Sequence, residues 1–140
     1  MPTVQVEVFL DTAYAVALSA PNDQFHDRAA LLAVQLEAEK PRLVTTEAVV
    51  LEIGNALSKQ RYRAAAVRLI ASLLADANVE IVPLSAELCV RAFQLYSERT
   101  DKEWGLTDCV SFMVMSDRRI GEALTPDEHF RQAGFRPLLQ

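Results

Sequence analysis

The amino-acid sequence predicts an α/β fold of three layers, with a central, mainly parallel sheet that carries helices on both faces. Short apolar segments typical of strands alternate with longer segments of helical periodicity, and a capping residue precedes several of the helices. Strands and helices that alternate in this way form parallel sheets covered on both sides. No repeat, linker or low-complexity tract interrupts the pattern, so we expect one domain over residues 1–140.

The first half of the chain is predicted to form two strands and four helices. The first strand alternates and then becomes wholly apolar at Phe9 and Leu10, as a strand entering a buried sheet does. Asn22 or Asp23 caps the longer of the first two helices, and Thr46 caps the third. In chain order the elements are strand 4–10, helix 12–20, a helix from its cap to about 40, strand 42–45, helix 47–58, and a basic segment from 59 that leads into a helix ending near 77.

The second half repeats the alternation. Ser85 caps a helix to which Leu88, Phe93 and Leu95 give an apolar side, and Thr107 precedes an apolar run that fits a buried helix. In chain order the elements are strand 79–82, the helix after 85, the buried helix from 108, strand 121–124, a turn at 125–127 into one helical turn, and a last strand or extended tail at 135–138.

Composition excludes several classes of protein. Fourteen Lys and Arg against nineteen Asp and Glu give a net charge of -5, which argues against nucleic-acid binding through bulk positive charge. The two cysteines lack metal-binding spacing and the two histidines are scattered, so we expect free thiols and no zinc site. The acidic start does not fit a signal peptide, and no apolar stretch reaches the roughly 18 residues of a membrane span. A cytoplasmic protein without membrane contact is expected.

Acidic residues follow two of the predicted strands. Asp11 comes directly after the first strand, and Asp127 comes two turn residues after strand 121–124. Ligands of open α/β sheets bind at the carboxyl ends of the strands, where neighbouring strands would bring both acids together. Each is also an ordinary helix cap. Asp108 has the same structural alternative, because the first turn of a helix favours a carboxylate.

Glu52 differs from these acids because apolar residues surround it along the predicted helix 47–58. We expect it to be buried, and a buried carboxylate is costly unless it is paired or bound to a cation. Four carboxylates in one cleft repel each other unless a divalent cation offsets their charge. Oxygen ligands without His or Cys suit Mg²⁺ or Mn²⁺, which serve phosphodiester hydrolysis.

Four segments carry these acids, namely VFLDT at 8–12, TTEAVVLEIGNAL at 45–57, LTDCVSF at 106–112 and LTPDEHF at 124–130. Together they resemble the PIN-domain ribonucleases, especially the VapC-type toxins of bacterial toxin–antitoxin pairs, over nearly the whole chain. Matched by position, the resemblance implies that Asp11, Glu52, Asp108 and Asp127 hold Mg²⁺ or Mn²⁺ and activate water to cleave RNA. Thr12 matches the small hydroxyl residue beside the first acid and is a candidate RNA contact.

The resemblance also implies two protein partners. One is a small antitoxin with a segment that lies across the acidic cleft, and the other is a second copy of the chain in a homodimer. The amphipathic helix pair from about Thr46 to Ala77 is where we expect a partner helix to bind.

A basic segment follows the helix that contains Glu52. Its Lys59, Arg61 and Arg63 are candidate contacts to the RNA backbone, or they merely make a helix turn soluble. Trp104 could stack on a base but is expected to pack its loop against the sheet. His129 is expected to form orienting hydrogen bonds or to be exposed rather than to transfer a proton.

Two other functions compete with a metal-dependent endoribonuclease. The first is a catalytically weak or inactive PIN scaffold that serves as a protein or RNA interaction module. The second is an α/β nucleotide-binding or phosphotransfer domain, which the sequence disfavours because its four glycines never form a phosphate-binding loop. Asp101 falls where some PIN-domain ribonucleases have a further acidic residue. Its polar neighbours in the sequence instead indicate a solvated loop residue.

Overall fold

The computed structural model describes residues 5–140, in which strands and helices alternate as predicted. In chain order the elements are β1 (Glu7–Leu10), α1 (Thr12–Ser19), α2 (His26–Glu39), β2 (Arg42–Thr46), α3 (Glu47–Ala56), α4 (Gln60–Ala75), β3 (Val79–Val82), α5 (Ala86–Glu98), α6 (Leu106–Arg118), β4 (Glu122–Leu124), α7 (Glu128–Gln132) and β5 (Arg136–Pro137).

The five strands form one sheet in the order β3-β2-β1-β4-β5, and every neighbouring pair is parallel. The predicted α/β class with a parallel central sheet is therefore confirmed. The central strands are the most apolar, and Phe9, Val44 and Leu124 are completely buried. Because β1 and β4 are neighbours in register Leu10 to Leu124, the residues that follow them meet at one edge of the sheet.

The helices pack in two groups that meet where α3 contacts α6. Helix α1 contacts α2, α3 and α4, and α5 packs along α6. Two helices, α3 and α5, have the predicted N-caps. The Thr46 hydroxyl accepts from the Val49 amide, and the Ser85 hydroxyl accepts from the Leu88 amide. Caps of this kind stabilise a helix by about 1 kcal/mol each. Within the described residues, no helix combines the length and apolar character needed to cross a membrane.

Several predicted boundaries were wrong. Helix α2 begins at His26 because the Asp23 carboxylate accepts from the Phe25 amide in a turn that precedes the helix. Helix α6 begins at Leu106, two residues before the predicted start, with Gly105 as its N-cap. Phe93, predicted on the apolar side of α5, is largely exposed. Val4, the predicted first residue of β1, lies outside the described residues.

An ion network closes the opposite edge of the sheet, where strands begin. Arg118 at the end of α6 forms two hydrogen bonds to the Glu80 carboxylate on β3. Arg42 on β2 also donates to Glu80, with 3.3 Å between Nη2 and Oε1, and both arginines lie 3.9 Å from Glu7 of β1. These hydrogen bonds, the one from Arg118 first, hold the pKa of Glu80 below its ordinary value.

Candidate active site

A cleft of about 330 Å³ lies where β1 and β4 end. The Asp11 amide bonds the Leu124 carbonyl across the two strands, so the segments after both strands line the same depression. Helices α3 and α6 contribute one acid each. The structure thus brings the four predicted acids into one acidic cleft, lined by Asp11, Thr12, Asp23, Glu52, Asp108 and Asp127 among others.

Asp11 is the most deeply buried of these acids, with only 4% of its surface exposed. Burial, above all, raises the pKa of Asp11 from 3.8 to about 7, and the negative charges of Asp108 and Glu52 act in the same direction. A hydrogen bond from the Thr125 hydroxyl to Asp11 Oδ2, 2.9 Å long, opposes this shift. Asp11 is therefore a carboxyl that the metal-free fold keeps partly protonated near neutral pH.

Asp108 lies in the first turn of α6, where its Oδ2 accepts from the Gly105 amide at 3.1 Å. Burial raises the pKa of Asp108, and the negative charge of Asp127 adds to the rise, whereas the hydrogen bonds with Gly105 and His129 lower it. Asp108 therefore does stabilise the start of α6, which is the structural role that the sequence left open. It also lines the cleft.

Asp127 caps α7, because its Oδ1 accepts from the His129 amide at 2.9 Å. Its own amide donates to the Thr125 hydroxyl at 3.1 Å. The same hydroxyl donates to Asp11, so Thr125 connects the two acids that follow β1 and β4. Thr125 is completely buried, and sequence analysis missed it because it lies in a predicted turn with no pattern of its own.

His129 completes the tightest group of ligand atoms in the described chain. Its Nδ1 lies 3.1 Å from Asp108 Oδ2 and 3.5 Å from Asp127 Oδ1, and one ligand atom from each residue fits within 4.8 Å of the others. The predicted orienting hydrogen bond is present. An all-oxygen site was expected, whereas this group includes an imidazole and leaves Asp11 and Glu52 outside it.

Glu52 is exposed, so the prediction that it is buried was wrong. Val49 and Ile53 on the same helix are completely buried and occupy the side of α3 that faces the core. Glu52, three residues after Val49 and one before Ile53, lies beside this buried side, where the helix surface is exposed, and it lines the cleft. Its apolar sequence neighbours divide between the core and exposed positions such as Leu51.

Asp23 is a fifth acid of the cleft that sequence analysis did not assign to it. The sequence signal, a polar residue before a helix, indicated a cap, and its carboxylate does bond the Phe25 amide. No Lys or Arg is among the described residues that line the acidic cleft. Among the described residues, the negative charges there therefore lack a Lys or Arg partner in the cleft lining, and the nearest basic group is the His129 imidazole beside Asp108 and Asp127.

The residues present fit a divalent cation. Thr12 Oγ1 is buried beside Asp11 and has no hydrogen-bond partner among the described residues, although its side chain lines the cleft. A buried hydroxyl without a partner is costly, and a hydrated cation or its waters would satisfy it. Several carboxylate oxygens and one hydroxyl are the donors that Mg²⁺ and Mn²⁺ prefer, and an imidazole also suits transition metals.

The other candidate residues lie outside the cleft. Lys59, Arg61 and Arg63 are exposed, and Arg63 bonds the Ser58 carbonyl. Their neighbour Tyr62 donates to Asn22, the residue before Asp23, so the basic segment flanks one rim of the cleft.

Trp104 packs edge-on against Phe112 and donates to Gln132, as the packing interpretation predicted. Asp101 is an exposed loop residue paired with Arg99.

Comparison with known proteins gives matches over most of the chain. The PIN domain profile matches residues 8–136. The 23S rRNA-specific endonuclease VapC20 of two Mycobacterium tuberculosis strains, CDC 1551 and H37Rv, is 31% identical over 129 residues, which cover 91% of this chain and 95% of the relative. The crystal structure of M. tuberculosis VapC20, described as a sarcin–ricin loop cleaving toxin, matches with a TM-score of 0.80 and 28% identity over 91% of this chain and 95% of that one.

The profile match includes the segments that contribute all four predicted acids, and the solved relative has the same fold. The chain therefore belongs to the PIN-domain family and is a VapC-type member of it.

Proposed function

We propose that this protein is an endoribonuclease that depends on Mg²⁺ or Mn²⁺. The observation that carries the proposal is the acidic cleft, where the four predicted acids from separate segments meet and no Lys or Arg is among the described lining residues. Such an arrangement destabilises the metal-free fold and is typical of a site that binds a cation. RNA as the substrate is supported by the 23S rRNA-specific relative.

In the proposed reaction Asp11, Asp108 and Asp127 hold the cation, and Glu52 contributes from the exposed side of the cleft. A bound divalent cation would polarise the phosphodiester and lower the pKa of the attacking water. Thr125 holds one oxygen of Asp11 in place, which leaves the other oxygen available as a ligand. Asp11 must release its proton as the site fills, because its pKa in the metal-free fold is about 7.

His129 contacts two of these carboxylates, Asp108 and Asp127, although it is not one of the four predicted metal ligands. Its 3.1 Å contact with Asp108 fixes the direction of that carboxylate, in the way that hydrogen-bonded neighbours orient metal ligands. In this proposal His129 is a positioning residue, while the four acids bind the metal.

We further propose that the protein is the toxin of a toxin–antitoxin pair and forms a homodimer. Support for a helical partner comes from an apolar groove of about 280 Å³ between α3, α4 and the end of β3. Leu51 and Leu74 in this groove are each more than 60% exposed, and with Val50, Ile81 and Leu84 they form a continuous apolar surface of the kind that a partner covers. The groove lies within the helix pair where the sequence predicts a partner helix.

The test is cleavage of a labelled RNA by the purified protein with Mg²⁺, with Mn²⁺ and with EDTA. Asp11→Asn should abolish cleavage and also the rise in melting temperature that Mn²⁺ causes, which corresponds to about 2.7 kcal/mol at one hundred times Kd. Asp27→Asn, an exposed acid on α2 that does not line the cleft, is the matched control and should keep both. RNA binding without cleavage would instead support the inactive scaffold, and an unchanged Asp11→Asn variant would contradict the site.

A further inference from the structure

A second depression adjoins the acidic cleft and differs from it in chemistry. This α5–α6 groove has a volume of about 540 Å³ and lies where α5 ends and the loop into α6 begins. Its walls include a half-exposed aromatic ring, two cationic side chains and further polar groups, namely Tyr96, Arg99, Thr100, Lys102, Glu103 and Trp104. The volume suits a single nucleotide better than a water cluster.

The groove is joined to the cleft through one residue. Gly105 lines the groove, and its amide donates to the Asp108 carboxylate at 3.1 Å. An RNA strand with a phosphate beside Asp108 therefore has a neighbouring nucleotide next to the groove. Any such strand must pass a cleft with five carboxylates, so cationic contacts just beyond that cleft are needed to hold its backbone.

Arg99 is held as a flat, oriented surface in this groove. Its guanidinium lies over the Trp104 ring at 4.9 Å and forms two hydrogen bonds to the Asp101 carboxylate. Forty per cent of the Arg99 side chain nevertheless remains exposed. A guanidinium plane fixed in this way is a surface on which unpaired RNA bases stack.

Tyr96 provides the aromatic ring that Trp104 cannot. Trp104 is buried beneath Arg99 and against Phe112, so it forms the floor of the groove and is not open to a base. Tyr96 is 46% exposed and lines the same groove. Lys102 adds an ammonium group, which at 3.7 Å is only loosely paired with Asp101 and can contact a phosphate.

We propose that the α5–α6 groove binds one nucleotide of single-stranded RNA next to the cleaved bond. The base stacks on Tyr96 and the Arg99 plane, and Lys102 contacts its phosphate. This inference rests on the proposed ribonuclease function and specifies where the substrate strand leaves the cleft. It places the strand on the α5–α6 side of the molecule and not along the basic segment of α4.

The first test measures binding of a fluorescein-labelled oligo(A) RNA by anisotropy, in EDTA to prevent cleavage. Tyr96→Ala should weaken binding roughly 5- to 100-fold with an unchanged salt dependence, since stacking is uncharged. Lys102→Gln should weaken binding and reduce the slope of log affinity against log salt by roughly 0.7. Phe93→Ala, an exposed aromatic of α5 outside the groove, and Lys40→Gln are the matched controls and should bind as the wild type does.

A second test locates the base directly. Trp104 is the only tryptophan of the chain and lines the groove, so unlabelled oligo(A) should quench its fluorescence in the wild type and much less in Tyr96→Ala. RNA that contains 5-iodouridine should crosslink to Tyr96 on irradiation. Two results together would overturn the proposal. The first is crosslinking to the α4 segment. The second is a smaller salt slope in the triple variant Lys59→Gln, Arg61→Gln, Arg63→Gln and an unchanged slope in Lys102→Gln.

The outcomes separate this inference from the function on which it rests. If the wild type cleaves RNA and the groove variants bind as it does, only the groove assignment is wrong. If the groove variants lose binding but no metal ion supports cleavage by the wild type, the nuclease proposal is wrong, and the groove is an RNA-binding site with no cleaved bond beside it. If the wild type neither binds nor cleaves RNA, both are wrong.

Discussion

Acidic residues at the two edges of the sheet have opposite electrostatic surroundings. At the edge where strands begin, two arginines bond Glu80, and its pKa is lowered. At the edge where strands end, acids face each other with no Lys or Arg among the described residues that line their cleft, and the pKa of Asp11 is raised to about 7. The fold itself neutralises the acidic charges at the first edge, whereas those at the second edge require a bound ligand to neutralise them.

This difference separates residues that stabilise the fold from residues that serve a function. Paired charges at the first edge contribute modest stability and no chemistry. Unpaired charges at the second edge lower the stability of the metal-free protein, and such perturbed groups are concentrated at functional sites. The substitutions below test the difference between the edges, from the largest expected effect to the smallest.

Glu52→Gln should abolish RNA cleavage, a loss larger than the roughly 100-fold that neighbours of metal ligands cause. The amide keeps the shape of the side chain and removes its charge. Thermal stability in EDTA should stay level or rise, because one charge that repels Asp11 is lost. Glu47→Gln on the same helix is the control and should keep activity, since its amide oxygen can still accept from the Leu84 amide. Wild-type cleavage rates for Glu52→Gln would remove it from the site.

Asp11 should make the metal-free protein less stable as pH rises from about 4 to about 7. The folded carboxyl binds its proton more tightly than the unfolded one, so its stabilising contribution is complete at low pH and is lost as pH passes through the folded pKa of about 7. The loss is on the order of a few kcal/mol at most. Denaturant unfolding in EDTA should show a smaller decline for Asp11→Asn, and equal slopes for both proteins would contradict the raised pKa.

His129→Ala should weaken Mn²⁺ binding about 10- to 100-fold, as removal of an orienting neighbour typically does. The Asp108 carboxylate would keep its bond from Gly105 but lose the contact with the imidazole. A thermal titration with Mn²⁺ measures the affinity, and excess Mn²⁺ should restore most of the cleavage. Unchanged affinity would show that His129 only packs beside the site.

Glu80→Gln should lower the free energy of unfolding at pH 7 by about 1 kcal/mol and leave cleavage unchanged. Glu80 bonds both Arg42 and Arg118, whereas within residues 5–140 Glu122 pairs only with the more exposed Arg136. Glu122→Gln is therefore the control with a smaller effect. Loss of cleavage in Glu80→Gln would mean that the two edges are coupled.

Local patterns predicted the sheet and two of the helix caps because those features depend on neighbours in sequence. Thr46 and Ser85 cap their helices as expected, and the strand ends place Asp11 and Asp127 at one edge. The start of α6 was misplaced because a glycine cap at Gly105 has no side chain to signal it.

The unpredicted parts of the site depend on contacts between distant segments. The exposure of Glu52 follows from which side of α3 faces the core, and its run of apolar neighbours does not reveal that side. The place of His129 beside Asp108 requires α7 to pack near the start of α6. Asp23 reaches the cleft from a turn that the sequence indicated only as a helix cap.

The hydroxyl of Thr125 has a consequence for how the two strand-end acids respond to change. It accepts from the Asp127 amide, so its single proton is directed toward Asp11 and its rotation is fixed. The Thr125 hydroxyl thereby links the charge on Asp11 to the backbone that positions Asp127. Substitutions of Asp11 and Asp127 should consequently be non-additive, and the pair behaves as one thermodynamic unit rather than as two independent ligands.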